Sequence, residues 1–341
     1  MTSYAVGFNS PLEIIPPIPV ASGNTGTSVG DFWLFGNGAD GSLHFDGTAT
    51  FSFATKTGNV YVLNRSIYAT DCLIDAGVTV CGFDQAVTNV GGGNQVFCSG
   101  TLTVNGSLNN DGAAPGANPA TGGLGGSNQG GVTTLYGAGA NAGSCPGAGS
   151  AGGAGTSIIS SFGGAAGAGG ASASPGSHAG GAGGTVTIPD AKEGGGVNAL
   201  WIPWILMFGR LPLNSSPLWR QFFPGAGAGA GGGQTSVATG GGGGGGGGIL
   251  GVFARIIAAG SGIISTKGGD GARGDWQAPG GGGGGGGGGG ILGIITTTSN
   301  FASLVTCSVA GGIGGGVTGG AVAGTNGSPG TLVSIIVKVL V

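Results

Sequence analysis

The side chains that could do acid–base or nucleophilic work are few and scattered. Two histidines, His44 and His178, stand far apart in the chain. His44 falls on an expected strand, where it reads as structural, and His178 falls in a Pro-Gly-Ser-His-Ala-Gly loop. Asp71 and Asp75, expected on adjacent short strands, come nearest to a carboxylate pair. Glycoside cleavage needs two carboxylates at a set separation across a sugar, and no other residue nearby supports one. The five cysteines, Cys72, Cys81, Cys98, Cys145 and Cys307, are widely spaced and odd in number. No Cys-x-x-Cys pair occurs, so they read as small buried apolar residues rather than a disulfide framework or zinc site. There is no His-Glu-x-x-His, no Gly-x-Ser-x-Gly beside a plausible triad and no Gly-Lys of a phosphate loop. Matches to Gly-x-Gly-x-x-Gly carry nothing in a chain with 90 glycines in 341 residues. Arg273-Gly274-Asp275 matches an integrin-type tripeptide that chance explains in a glycine-rich loop. Asp270, Arg273 and Asp275 read instead as a solvated ion cluster. The expectation is a protein without catalytic activity, cofactor or metal.

What remains is the chemistry of the backbone. Two uninterrupted glycine runs span residues 240–248 and 280–290. Gly240, Gly244 and Gly248 mark the first, and Gly280, Gly285 and Gly290 the second. Each run exits through the same apolar triplet, Ile249-Leu250-Gly251 and Ile291-Leu292-Gly293, offset by 42 residues. Flexible linkers carry Ser, Asn or Thr for solvation, and these runs carry none. Glycine loses more backbone entropy on folding than any other residue. Such a run is therefore either a floppy linker or a segment where only a missing side chain fits. The repeated exits favour the second: extended glycine strands side by side, their N–H and C=O groups bonded to neighbouring strands. Polyproline-II geometry suits this, with three residues per turn and no internal hydrogen bonds. Collagen is excluded, because 15 prolines and no sustained Gly-X-Y period cannot build a triple helix. Disorder is the competing reading.

Composition narrows the partners. Charged residues are only 6% of the chain and the formal charge is −3, so no nucleic-acid partner is expected. A mean hydropathy of +0.34 comes from Ala, Val and Ile spread among glycines. No stretch approaches the ~20 apolar residues a spanning helix needs, so no membrane insertion is expected. The first twenty residues lack a basic region, and Pro16, Pro17 and Pro19 break their apolar stretch. They read as a stiff attachment arm with no secretory signal.

The elements that would position these groups are short strands. The fold class expected is all-β, with a hairpin and solenoid-like region followed by a polyglycine-II sandwich with interleaved β-rungs. The divisions are a Pro-rich attachment arm over residues 1–30, a β-rich region over 31–110 and a glycine-rich repeat domain over 111–341. Asp46-Gly47 signals a type I′ hairpin between Ser42–Phe45 and residues 48–53. Residues 51–53 and 60–63 flank a second hairpin or corner at Lys56-Thr57-Gly58-Asn59. Rungs follow at Cys72-Leu73-Ile74, Val78-Thr79-Val80, Val96-Phe97-Cys98 and Leu102-Thr103-Val104; a sandwich gives the same signals. Residues 111–198 are mostly small, which would let them join the glycine strands at their edges. Gly262-Ile263-Ile264-Ser265 echoes Gly106-Ser107-Leu108, and the run from Thr331 resembles a third copy of the strand that follows each glycine run.

Residues 199–224 break this composition. They hold Trp201, Trp204, Phe208, Trp219, Phe222 and Phe223, and four prolines that forbid one continuous helix. Such a segment reads as a plug over a solenoid end or subunit seam, or as an aromatic recognition loop on a rigid frame. A membrane-inserting segment is the third reading.

The long glycine runs alternating with short loops resemble the polyglycine-sandwich domain of adhesins at the tips of T-even-type bacteriophage tail fibres. The rung Gly100-Thr101-Leu102-Thr103-Val104-Asn105-Gly106 resembles glycine-rich tail and fibre proteins of many phages. The resemblance covers roughly residues 60–341. It implies a virion structural protein, assembled in the host cytoplasm, whose glycine domain is a rigid scaffold and whose loops, here 199–224 and 267–279, touch the host surface. It further implies a homo-oligomer, with a trimer favoured, and other virion proteins as partners. A bacterial surface glycan or outer-membrane protein is the implied receptor. The alternatives are a cellular surface filament, a capsid decoration or assembly protein, or an ice-binding-type glycine-rich rod.

Overall fold

The computed structural model describes residues 34–81, 95–112, 152–155, 158–159, 165–172, 178–187, 240–274, 280–317 and 320–337. Among these residues strand dominates and helix is almost absent, which makes the fold all-β. One six-stranded sheet has the order β1 (Gly41–Phe45), β4 (Ile67–Ile74), β6 (Gln95–Val104), β10 (Ile249–Ile257), β12 (Ile291–Thr296), β14 (Thr331–Ile336). A second has the order β13 (Thr306–Ser308), β11 (Ile263–Ser265), β7 (Ser107–Asn109), β5 (Thr79–Cys81), β3 (Val60–Leu63), β2 (Ala54–Thr57). A two-stranded sheet joins β8 (Ile158–Ile159) to β9 (Val186–Thr187). A helical turn, α1 (Phe301–Leu304), lies between β12 and β13.

The chain alternates between the two large sheets. β4, β6, β10, β12 and β14 enter the first, and β5, β7, β11 and β13 the second. Every pairing is parallel except β2 with β3. Parallel neighbours place like residues side by side, so apolar positions stack in columns. Ile67, Val96, Val252 and Ile294 form one column on successive strands. Together with Tyr61, Leu63, Val80, Leu108 and Ile264 of the second sheet they belong to one buried cluster between the sheets. Burying an aliphatic side chain contributes about 1.5–3 kcal/mol, which is what holds these three- to ten-residue strands in place.

The opposite face of the first sheet carries a second apolar cluster. Phe97 stacks on Tyr68 at 4.9 Å and on Phe253 at 4.6 Å between ring centres. Phe35 and Ile295 complete it, and Phe253 is fully buried. Both faces of this sheet therefore exclude water at Val96–Cys98, at Val252–Ala254 and along β12. That explains why β12 reads ILGIIT without polar alternation.

Two local expectations are corrected. Asp46-Gly47 does not close a hairpin: β1 pairs in parallel with β4, and residues 48–53 form a loop. The cause is the Asp46 carboxylate, which accepts the N–H groups of Thr48 and Ala49 and the Thr48 hydroxyl. That turn sends the chain away from an antiparallel return. The second hairpin exists, but its strands are β2 and β3, turning at Gly58 with φ +58°. The rungs over 72–74, 79–80, 96–98 and 102–104 lie in β4, β5 and β6. Ile263 and Ile264 pair with Ser107 and Leu108, so the echoed rung is a lateral neighbour.

Candidate functional site

The glycine runs continue the strands. Residues 240–248 lead directly into β10, 280–290 into β12 and 322–330 into β14, while 266–274 leave β11 and 309–317 leave β13. The hydrogen bonding passes across the junction without a break. Gly247 donates to Gly288 O, Ile291 to Gly248 O and Thr331 to Gly290 O. Ile249 then pairs with Ile291 and Ile291 with Thr331.

Within the runs the bonds recur every third residue. Gly241, Gly244 and Gly247 donate to Gly282, Gly285 and Gly288. Gly284, Gly287 and Gly290 donate to Ala272, Gly269 and Thr266. Gly283, Gly286 and Gly289 donate to Val322, Thr325 and Ser328. Gly312 and Gly315 donate to Gly287 and Gly284, and Gly167 and Gly170 donate to Gly286 and Gly283. The segment 280–290 is thus bonded to five others, each through one residue class in three. Every residue of 240–248 and of 280–290 is buried, Gly240, Gly244, Gly248, Gly280, Gly285 and Gly290 included.

Two uses of glycine separate cleanly. Positive φ occurs at turns such as Gly47, Gly58 and Gly77, and at no described residue of the two runs. In the runs the missing Cβ is the point. A Cβ on Gly284 would meet Gly242 O, on Gly285 Gly167 O and on Gly286 Gly312 O, each inside the 3.0 Å that real Cβ atoms respect. Three successive residues aim at three different strands.

Strands with fewer neighbours carry fewer glycines. In 266–274 the exposed positions are Asp270 and Arg273, one residue in three. In 322–330 only Gly324, Gly327 and Gly330 face inward, within Val-Ala-Gly, Thr-Asn-Gly and Ser-Pro-Gly triplets. That short triplet period was legible and passes for a loop, because only one residue in three is glycine. Residues 165–172 and 178–184 join the same network: Gly169 donates to Gly181 O and Ala166 to Gly184 O.

The titratable groups form no reactive constellation among the described residues. His44 Nε2 lies 2.8 Å from Asp75 Oδ2, with both groups exposed. Asp71 and Asp75 are not on adjacent strands: Asp71 lies in β4 and Asp75 just beyond its end. Asp71 instead accepts the Thr101 N–H at 2.8 Å. Asp270 accepts the Ile313 N–H at 2.7 Å, and no ion pair links it to Arg273 among the described residues. Asp275 lies outside those residues. Burial pushes the Cys98 and Cys307 thiols up to about 11, and drives Cys72 higher still. None is a thiolate at neutral pH. Burial also raises Asp111, whose carboxylate accepts the Lys267 N–H and the Ser265 hydroxyl where β11 passes into the glycine strands. No group of three metal-ligating side chains occurs among the described residues. A shallow open groove runs over the turns at Gly77, Asn105, Gly106, Ser261 and Gly262. No described helix is long and apolar enough to cross a membrane.

Trp201, Trp204, Phe208, Trp219, Phe222 and Phe223 lie outside the described residues, as do Cys145, the attachment arm over 1–30 and, within 31–110, residues 31–33 and 82–94. Of loop 267–279, residues 267–274 are described, and they form a glycine strand rather than a loop. No family model, curated protein or solved structure matches this chain.

Proposed function

We propose that the glycine strands form a polyglycine-II sandwich continuous with a β-solenoid, and that the chain is a non-enzymatic structural protein of a bacteriophage virion, at a tail fibre or its tip. What supports the architecture is the segment 280–290: buried throughout, with its backbone bonded to five neighbouring segments at a repeat of three residues. That is the repeat of an extended helix with three residues per turn. A body held by main-chain bonds in many directions is stiff and needs no hydrophobic core of its own. Such rigidity suits a scaffold that presents segments at its surface. Residues 199–224 supply the aromatic anchors for a subunit seam or for a bacterial glycan or outer-membrane protein. The assembly expected is a homo-oligomer, with three chains favoured, bound to other virion proteins.

The test is position. Antibody raised against the purified chain should decorate particles from the source culture at the distal end of the tail in electron microscopy. Label confined to the capsid moves the protein to a decoration role, and label absent from all particles ends the virion reading. In particles that carry the chain, Trp219→Ala with Phe222→Ala separates the two uses of 199–224. Lost adsorption with normal incorporation supports receptor contact, and lost incorporation supports an assembly seam.

A further inference from the structure

A lattice held by backbone bonds has the same weakness at its flank as a sheet has at its edge: outward N–H groups invite another strand. In this chain part of the flank is occupied. Segment 309–317 directs one amide class inward, Gly312 and Gly315 to segment 280–290, and leaves an exposed class at Ala310, Ile313 and Gly316 and a half-buried one at Gly311, Gly314 and Val317. Asp270 Oδ1 accepts the Ile313 N–H at 2.7 Å from one side. Asn326 Oδ1 accepts the Gly314 N–H at 2.8 Å from the other. On the next flank Thr325 Oγ1 accepts the Ala168 N–H at 2.7 Å. Segment 322–330 uses the amides of Gly324, Gly327 and Gly330 toward 309–315, and those of Val322, Thr325 and Ser328 toward 165–171. Its third class falls on Ala323, Asn326 and Pro329, and proline has no N–H to offer.

Asp270, Thr325 and Asn326 are all exposed and reach sideways to a neighbouring strand, and Pro329 is exposed at the remaining outward class. Buried segment 280–290 has no such side chains, because strands surround it. We infer that these four residues terminate the glycine lattice and keep the flanks formed by 165–172, 266–274, 309–317 and 322–330 from fusing with the flank of a second copy of this chain. The partner that an uncapped flank fits is another glycine strand of the same period, whose carbonyls would take the freed amides. The inference does not depend on the virion reading, since it concerns the lattice surface in any setting.

The experiment is sedimentation velocity over a concentration series, comparing wild type with Asp270→Ala/Asn326→Ala. The double variant is expected to associate further as concentration rises, at least doubling the mass of the wild-type species. Asp270→Asn keeps an acceptor oxygen and is expected to sediment as wild type. Association by Asp270→Asn would show that charge, not the acceptor, keeps copies apart, and would overturn the proposal. So would a folded double variant that stays in the wild-type state at every concentration. If the double variant does not fold, Pro329→Ala decides, since it adds an outward N–H and removes no bond. Added association supports termination, and unchanged sedimentation ends it.

Discussion

Ile249 of β10 and Ile291 of β12 are lateral partners in adjacent parallel strands, though 42 residues separate them in the chain. The bond from Ile291 N–H to Gly248 O at 2.9 Å joins the two structural regimes. On one side of it, strands are held by a ladder and by side chains stacked in columns. On the other, only the ladder remains and contacts spread to several directions. The apolar exit marks where side chains become affordable in space, because a sheet has two open faces and a close-packed bundle of glycine strands has none.

Substitution should therefore be judged by surroundings rather than by residue type. Gly285→Val places a side chain against Gly167 O, within a buried segment whose neighbours are themselves backbone. Overpacking against atoms that cannot change rotamer should cost about 3 kcal/mol or more. Gly316 has open space where its Cβ would go, and Gly316→Ala should shift stability by no more than about 0.5 kcal/mol. Chemical denaturation of both variants checks this. Equal midpoints would mean the glycine run is not close-packed.

Gly77 supplies the opposite control. Its φ is +77° and nothing lies near its absent Cβ, so backbone conformation alone demands glycine there. Gly77→Ala should cost about 1–2 kcal/mol, the left-handed penalty of an L-residue. Gly77→Asn should cost less, because asparagine tolerates that region. In the buried run the order should reverse, with Gly285→Ala milder than Gly285→Asn. Thermal unfolding of the four variants tests the crossover.

How much of this was legible follows from how local each signal is. The kinship of β10 and β12 could be read because the same apolar triplet follows both glycine runs. The packed state of 240–248 and 280–290 followed from the absence of any solvating residue in them. Asp46-Gly47 misled because a two-residue turn signal says nothing about distant strands, and parallel pairing of β1 with β4 is set by the shared core. Asp270 read as a solvated ion because its charge is visible in sequence, while the N–H of Ile313 that it caps lies 43 residues away. Cysteine placement was legible in part: Cys72, Cys81, Cys98 and Cys307 all lie in strands, but only Cys72 and Cys98 are buried, while Cys81 and Cys307 are half-buried.

Asp40 gives the acid limb of the stability curve a definite sign. Both its oxygens accept from the Arg65 guanidinium, at 2.6 and 2.9 Å, and Oδ2 also accepts the Tyr68 N–H at 2.7 Å. The Arg65 bond, first, and the Tyr68 amide hold its carboxyl below the ordinary 3.8, against the opposing effect of burial. A folded value below the unfolded one stabilises the fold above the unfolded value, and that contribution is lost as pH falls through the folded value. Because Arg65 is half exposed, the contribution should be about 1 kcal/mol. Asp40→Asn should lose that amount at neutral pH and flatten the decline below pH 4. An unchanged acid slope would show that other carboxylates set it.

Phe253 is the residue on which the outer face of the first sheet turns. It is fully buried, stacks on Phe97 and stands between Phe97 and Ile295 in a column that crosses β6, β10 and β12. Phe253→Ala should destabilise by about 3–5 kcal/mol, combining lost transfer energy with the cavity left between parallel strands. Phe253→Leu keeps most of the volume and should cost clearly less, with the ring stacking lost. Because β10 carries the chain out of segment 240–248, the damage should travel. Amide exchange should quicken in 240–248 and 280–290 as well as in β10, although no side chain of theirs has changed. Protection lost in β10 alone would mean that the sheet and the glycine strands unfold as separate units.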